Sequence, residues 1–329
     1  MPLLDVRNLR VDFRTVAGIV HAVDGVSLSL EKGEIMGIAG ESGCGKTTMA
    51  LAVPGLLARN ATVPGGQIIF DGEDLISKSE DEMRTIRWRR VSVIFQGSMN
   101  AMNPLKTVGS QIVEPILLHE PRTPRREAEA RAEKLLDSVG ISKKRFSNYP
   151  HEFSGGMRQR AMIAMSLACG PDLVLADEPV TALDVMIQAQ ILELIKVLCS
   201  ELGLSLIMIS HDLSVLAELC DTLVVMYAGR VVEHGRSADV FREPAHPYSA
   251  RLMNAFPDIY GERVFTSGIP GYPPNLIAPP VGCGFYERCP ERLAGCESTR
   301  QELSETSPGH WCSCLYPRRD KEGGGIING

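Results

Sequence analysis

Short apolar runs broken by glycines and charges dominate the first hundred residues. "LLDVRNL", "VSLSL" and "EIMGIAG" fall within the first forty, "QIIFDG" follows Gly65 and Gly66, and "VSVIF" spans Val91–Phe95. Each has strand length and is bounded by turn formers, so each predicts a strand. From Pro104 to Ala168 the pattern turns helical, with the Glu- and Arg-rich run "TPRREAEARAEKLLDSVG" and Gly140 placed to stop a helix. Strand-length runs return at "DLVLAD", "LSLIMIS" and "TLVVMYAG". Between the first two, Ile187, Ile191, Leu194, Ile195, Leu198 and Leu202 make one stripe of a helix predicted over 185–202 and closed by Gly203. Such alternation predicts an α/β core, a parallel sheet covered by helices, with a helical insertion.

The pattern changes at about Pro244. Pro270, Pro273, Pro274, Pro279 and Pro280 make "GIPGYPPNLIAPP" an extended connector rather than a helix. Five of the nine cysteines then crowd into residues 283–314 with spacing C-x5-C-x6-C-x15-C-x-C. The Gly-rich end, "KEGGGIING", predicts disorder, and the absence of internal repeats leaves one copy of the core.

Composition narrows the function classes. The 329 residues are 44% apolar and 22% charged with a formal charge of −6, which suits a soluble globular protein and does not recommend nucleic acid as a partner. The basic run "RTIRWRR", Arg84–Arg90, reads as a solvated face. The N-terminus carries charges where a signal peptide needs an apolar segment, and no window nears the roughly 20 apolar residues of a membrane span. The expectation is a cytosolic chain that meets the membrane only through a partner. Stable disulfides are disfavoured in that compartment, which turns the cysteine cluster towards metal or chance.

Two motifs carry chemistry. "GESGCGKT", Gly40–Thr47, fits G-x-x-x-x-G-K-[ST] between an apolar strand and a helix-compatible run. Gly40, Ser42, Gly43, Cys44, Gly45 and Thr48 belong to the predicted cradle of backbone N–H groups around phosphate, at a helix N-terminus. Lys46 would reach the β- and γ-phosphates and Thr47 would ligate Mg²⁺. Downstream, "LVLADEP" ends an apolar strand in Asp177, placed to hold magnesium, and Glu178, placed to orient or deprotonate an attacking water.

Between them stands "EFSGGMRQR", Glu152–Arg160, and here the sequence resembles the ATP-binding-cassette (ABC) ATPases. The resemblance covers residues 1 to about 240. It implies a P-loop NTPase (RecA-like) core with an antiparallel β subdomain and a helical subdomain at about 97–168. It makes Ser154, Gly155 and Gly156 the signature that closes over a partner's ATP in a head-to-tail dimer. Gln96 matches the Q-loop glutamine that senses Mg²⁺ and water, "TALD" (Thr181–Asp184) the D-loop, and His211 the switch histidine. Phe13, Val20 and His21 remain alternatives for the residue that stacks on adenine. The implied reaction is attack of a positioned water on ATP, with Lys46, Mg²⁺, His211 and the partner signature stabilising charge.

Finer marks point to one branch. "FSGGMRQRAMIAMSLA", "EPAHPYSARLMNAFP" and "GYPPNLIAPPVGCGFYERCP" resemble the ATPases of oligopeptide and dipeptide importers, closest to their D-type subunit. This branch implies an extension over 241–329, two transmembrane permease subunits, a second ATPase of a related F type, an extracytoplasmic binding protein, and a peripheral place on the cytoplasmic face of the inner membrane. The branch also holds importers of nickel and oligosaccharides, so cargo stays open. A non-transport ABC ATPase would need a long coiled coil or tandem cassettes, and a metabolic P-loop kinase would lack the signature and the histidine. Val180 stands where the family has Thr, and Gly97-Ser98 where it has Asp-Pro.

Cys44, Cys169, Cys199 and Cys220 read as small buried residues within the cassette. The last five lie in a segment with little core of its own, where a bound metal would add stability. Spacing leaves zinc and iron–sulfur open. The resemblance implies a [4Fe–4S] cluster on Cys283, Cys289, Cys296 and Cys314, with Cys312 the alternative fourth ligand and the His310-to-Cys314 interval matching the branch. The cluster is expected to lie outside the cassette, apart from hydrolysis, in a structural or redox-sensing role.

Overall fold

The computed structural model describes residues 1–95, 97, 101–181, 183–254 and 268–318; Gln96 and the Gly-rich end lie outside them. The N-terminal alternation of apolar and polar residues makes β1 (Leu4–Thr15) and β2 (Gly18–Leu30), joined by a tight turn. They pair with β4 (Ala61–Phe70) and β5 (Glu73–Asp74) in an antiparallel sheet of order β2-β1-β4-β5. Leu4, Val6, Leu9 and Val11 turn inward from β1 and meet Ile68 and Phe70 in one apolar cluster.

The second sheet combines β3 (Ile35–Ala39), β6 (Val91–Ile94), β7 (Leu173–Asp177), β8 (Ser205–Ile209), β9 (Thr222–Tyr227) and β10 (Arg230–Arg236). The pairs β9-β3, β3-β8, β8-β7 and β7-β6 are parallel, and β10 adds antiparallel to β9. Every residue of β3, β7 and β8 is buried, as expected of strands covered on both faces. Phe95, which the apolar run had included in β6, falls outside the strand and is exposed.

α1 (Lys46–Ala52) follows β3, and α2 (Glu80–Ile86) opens with a capping box between Ser79 and Glu82. The predicted helical insertion holds α3 (Val108–His119), α4 (Arg125–Ser138) and α5 (Gly155–Ser166). The very polar α4 buries only Ala128, Ala132 and Leu136, a single stripe at i, i+4 and i+8. Arg131 anchors it through Glu120 (2.6 and 3.1 Å) and the Ala168 carbonyl (3.0 Å). α6 (Val185–Leu202) has the bounds read from its stripe, with Gly203 at φ 61° closing it, although Leu202 ends up exposed. α7 (Leu213–Leu219), α8 (Ser237–Arg242) and α9 (Pro247–Asn254) complete the α-helices among the described residues.

The basic run is not one solvated face. Arg84 is 70% exposed, but Arg87 is held by Glu80 (2.6 Å) and the Pro54 carbonyl (2.7 Å). Arg90 bridges Asp71 and Asp172, tying the two sheets together.

The extension is less separate than its composition suggested. β11 (Ser304–Ser307) and β12 (His310–Cys312) form a hairpin whose second strand pairs antiparallel with β10, enlarging the main sheet to eight strands. The joint is Glu233 of β10, 0% exposed, which accepts hydrogen bonds from the backbone N–H groups of Ala245 (2.7 Å) and His246 (2.9 Å) and meets His310 Nε2 at 2.7 Å. Phe285, 1% exposed, packs its ring 5.3 Å from both Tyr227 and Tyr248. The cysteine segment therefore borrows the core built by residues 1–240.

His246 reports on this joint. Its Nδ1 accepts from the Tyr248 backbone N–H (3.0 Å), and burial pushes the imidazole down to about 4. A base depressed in the folded state is protonated first in the unfolded chain, so stability is full above about pH 6.5 and falls towards pH 4. The expected loss across that window is roughly 3 kcal/mol. Urea unfolding from pH 7 to 4 should show this slope in the parent and a flatter one in His246→Leu; equal slopes would contradict the buried neutral imidazole.

Candidate active site

The phosphate loop runs from the end of β3 into α1. Gly40 (φ 148°) and Gly45 (φ 103°) admit no side chain, since a Cβ would stand 2.2 Å from the Met226 carbonyl oxygen and 2.3 Å from that of Ala22. They clamp the loop onto β9 and β2 while Ser42, Gly43 and Thr47 stay exposed. Lys46, 5% exposed, turns its ammonium into the loop, donating to the carbonyls of Gly40 (2.7 Å) and Glu41 (3.0 Å). Burial raises the Cys44 thiol against the pull of Lys46, so Cys44 serves as a neutral packing residue, and Thr48 is half-buried at the start of α1.

The acidic pair stands at the end of β7, beside β8. Asp177 is buried, and its carboxyl is raised by desolvation and the charge of Glu178, against a Thr47 hydrogen bond, Lys46 and His211. Its Oδ1 is buried without a partner. A carboxylate oxygen left in that state, bonded on its other side to Thr47, fits a divalent cation carried in with a nucleotide. Thr47 and Asp177 are the residues that would hold it.

Glu178 takes a left-handed backbone (φ 49°), uncommon without glycine, fixed by its N–H donating to the Ile209 carbonyl of β8 (2.9 Å). The carboxylate meets His211 Nε2 at 2.6 Å and accepts from the Thr181 hydroxyl at 3.0 Å. Glu178 is 9% exposed and His211 51%, so a sheltered carboxylate faces solvent through the imidazole. The motif order alone left these two residues 33 positions apart in sequence; parallel pairing of β7 and β8 brings them into contact.

Ser154 caps α5 by accepting from the Met157 N–H (3.3 Å), and Gly155 and Gly156 form its first turn. A Cβ on Gly156 would lie 2.7 Å from Ile187 Cγ2, so the glycine lets α5 pack against α6. Asp184 caps α6 through the N–H of Ile187 (3.0 Å), the residue on which Gly156 of α5 packs. The adenine candidates share one hairpin: Phe13 pairs with Val20, and His21 Nδ1 meets Asp12 Oδ1 at 2.8 Å.

Sequence reasoning missed the second layer. Tyr248, from the His-Pro-Tyr segment, accepts a hydrogen bond from the Glu41 N–H (2.9 Å), and Arg288 pairs with the Glu41 carboxylate at 2.6 and 2.8 Å. The extension, expected to lie apart from the site, touches the phosphate loop directly. The signal was present in "HPY" and in the arginine before Cys289, but nothing in the spacing named their target.

Cys283, Cys289, Cys296 and Cys314 line one cavity with Tyr286 and Tyr316. Burial raises Cys283 and Cys289 and pushes Cys314 up to about 11, neighbouring thiols adding to the rise. Cys312 is turned away, wholly buried opposite Glu233. Among the described residues no group of three or more His, Cys, Asp or Glu is placed to hold a metal ion. Cys44, Cys199 and Cys220 are buried as expected, and Cys169 is half-buried.

Comparison with known proteins agrees with this geometry. A family model described as "ABC transporter" matches residues 23–181, and one described as "Oligopeptide/dipeptide transporter, C-terminal region" matches 232–296. The chain is 48% identical over 95% of its length, and 94% of the relative's, to a probable peptide ABC transporter ATP-binding protein, y4tR, of Sinorhizobium fredii. It is 47% identical over 96% of its length, and 93% of the relative's, to the oligopeptide transport ATP-binding protein OppD of Escherichia coli. Among solved structures, the dimeric cassette MJ0796 bound to ADP and Pi superposes with a TM-score of 0.64 at 26% identity, covering 71% of this chain and 98% of that one. The chain is therefore an ATP-binding-cassette ATPase, and within that class it belongs to the family of ATP-binding subunits of oligopeptide and dipeptide transporters.

Glu178→Gln keeps the shape of the carboxylate while removing its basicity. ATP hydrolysis should fall by about 10² or more, within the usual range for a lost general base, with ATP still bound and subunits trapped as an ATP-bound dimer. Steady-state phosphate release and gel filtration with ATP read both; hydrolysis at the parent rate would remove Glu178 from its role.

Proposed function

We propose that this chain powers uptake of di- or oligopeptides by hydrolysing ATP beneath a pair of membrane permeases. The observation that carries the reading is the meeting of Glu178, His211, Thr47 and the orphaned oxygen of Asp177 at one sheet edge next to the phosphate loop. Magnesium bound with ATP would supply charge neutralisation at the β- and γ-phosphates. The loop amides and Lys46 hold the phosphates, Glu178 orients a water and takes its proton, and His211 holds Glu178 in place while reaching the γ-phosphate side. Ser154, Gly155 and Gly156 act on a partner's nucleotide in a head-to-tail pair; the MJ0796 cassette, whose structure is dimeric, supports pairing of two cassettes. Gln96 would complete the magnesium and water shell.

The peptide cargo rests on the named relatives and on the match to the importer-type C-terminal region. No helix among the described residues is long and apolar enough to cross a membrane. Membrane attachment is assigned to the permeases, with a second ATPase of the F type and an extracytoplasmic binding protein completing the assembly. A groove lined by Arg84, Trp88, Arg89, Leu118 and His119, between α2 and the end of α3, supports docking of a permease element. Purified with its membrane subunits in vesicles, the ATPase should be stimulated several-fold by a peptide-loaded binding protein. Stimulation by nickel- or oligosaccharide-loaded protein instead would move the chain to another cargo.

The four thiols line one cavity without standing as a formed metal site, and it is their number and spacing in a segment matched to the importer-type C-terminal region that supports a [4Fe–4S] cluster, a group held by four cysteine thiolates. Such a group would stiffen a segment poor in regular structure. Anaerobically purified protein should be brown and carry about four irons per chain. Cys289→Ser should lose the colour while Cys312→Ser keeps it. Zinc without iron in that preparation would contradict the assignment.

A further inference from the structure

Arg288 sits in the short turn Tyr286–Arg288, one residue before Cys289, yet its side chain is 5% exposed and reaches the phosphate loop. All of its N–H groups are engaged. Nε donates to the Pro270 carbonyl (2.9 Å), Nη1 to Glu41 Oε2 (2.6 Å) and the Tyr227 hydroxyl (3.1 Å), and Nη2 to Glu41 Oε1 (2.8 Å) and the Ile269 carbonyl (3.0 Å). The two bonds to one carboxylate are the forked pairing that a planar guanidinium favours. Beneath it the rings of Tyr227 and Phe285 lie 5.7 and 5.9 Å from the guanidinium, and Tyr248 packs 4.5 Å from Tyr227.

Glu41 is thus gripped twice by residues beyond the cassette motifs, at its carboxylate by Arg288 and at its backbone N–H by Tyr248. It is also the only acid in "GESGCGKT". Unpaired, a carboxylate there would add negative charge beside a polyphosphate in half-buried surroundings, where screening is weak. The Glu41 carbonyl accepts from Lys46 as well (3.0 Å), so fixing this residue also fixes the approach of the ammonium.

We propose that Arg288 and Tyr248 are positioning residues of the ATP site, holding the phosphate loop through Glu41 and cancelling its charge, so that ATP affinity depends on the cysteine-bearing segment. The inference deepens the reading of residues 40–47 as a phosphate loop. ATP binding by the parent protein tests that reading; only the variants test the clamp.

The experiment measures equilibrium binding of Mg-ATP and steady-state KM and kcat on the full chain with its membrane partners, alongside thermal melts without nucleotide. Arg288→Ala should weaken ATP binding and raise KM about tenfold or more, with kcat within about threefold, because it strands a partly buried charge. Adding Glu41→Gln to that variant should restore affinity to within about threefold of the parent, since no charge is left to repel phosphate. Tyr248→Phe keeps the ring packing and should weaken binding about two- to threefold, the scale of one hydrogen bond. Parent-like affinity in Arg288→Ala would overturn the proposal. So would a double variant as weak as the single one, which would make Arg288 a prop for the fold. If Arg288→Ala fails to fold, parent-like affinity in Tyr248→Phe overturns it.

Discussion

Three wholly buried parallel strands, β3, β8 and β7, lie side by side and end at a common edge, and everything functional follows from that constraint. The loop after β3 carries Lys46 and Thr47, the end of β7 carries Asp177 and Glu178, and the turn after β8 carries His211. None of these groups needs to reach far, because hydrogen bonding between the strands fixes their spacing before any ligand arrives. The cost shows at Glu178, whose left-handed backbone is retained only because β8 accepts its N–H. In the proposed reaction a preorganised carboxylate and imidazole would require little rearrangement when charge develops on phosphate.

A second constraint joins the extension to this machine. Glu233 is buried within the sheet and satisfied by two backbone N–H groups and His310, all from residues beyond the cassette. Leaving such a carboxylate unpaired would cost several kcal/mol, so β10 and the extension stabilise each other. Phe285 and Tyr248, both buried, pack on each other and on Tyr227 of β9, which is why a segment rich in proline and cysteine holds its shape without a core of its own.

The cassette was largely legible in the sequence because its signals are local. A buried strand followed by a glycine loop, or an apolar stripe closed by Gly203, depends on neighbours within a few residues, and α6 fell where the stripe placed it. The joining of β12 to β10 was not legible: His310–Cys312 is too short to announce a strand, and its partner lies some eighty residues earlier. Glu41 occupied a position that the loop motif leaves free, so nothing local marked it as the anchor of Arg288, 247 residues away. The arginines of 84–90 misled for the same reason, since Asp71 and Asp172, which engage Arg90, are distant in the chain.

In the proposed head-to-tail pair, hydrolysis occurs where one subunit's phosphate loop meets another's signature. Ser154 tests it most directly, because it is exposed, its hydroxyl caps α5, and it makes no contact with its own phosphate loop among the described hydrogen bonds. In the assembled transporter, Ser154→Arg should leave ATP binding at this chain's phosphate loop within about twofold while turnover falls by about tenfold or more. Turnover equal to the parent's, or ATP binding lost from this chain itself, would contradict the account.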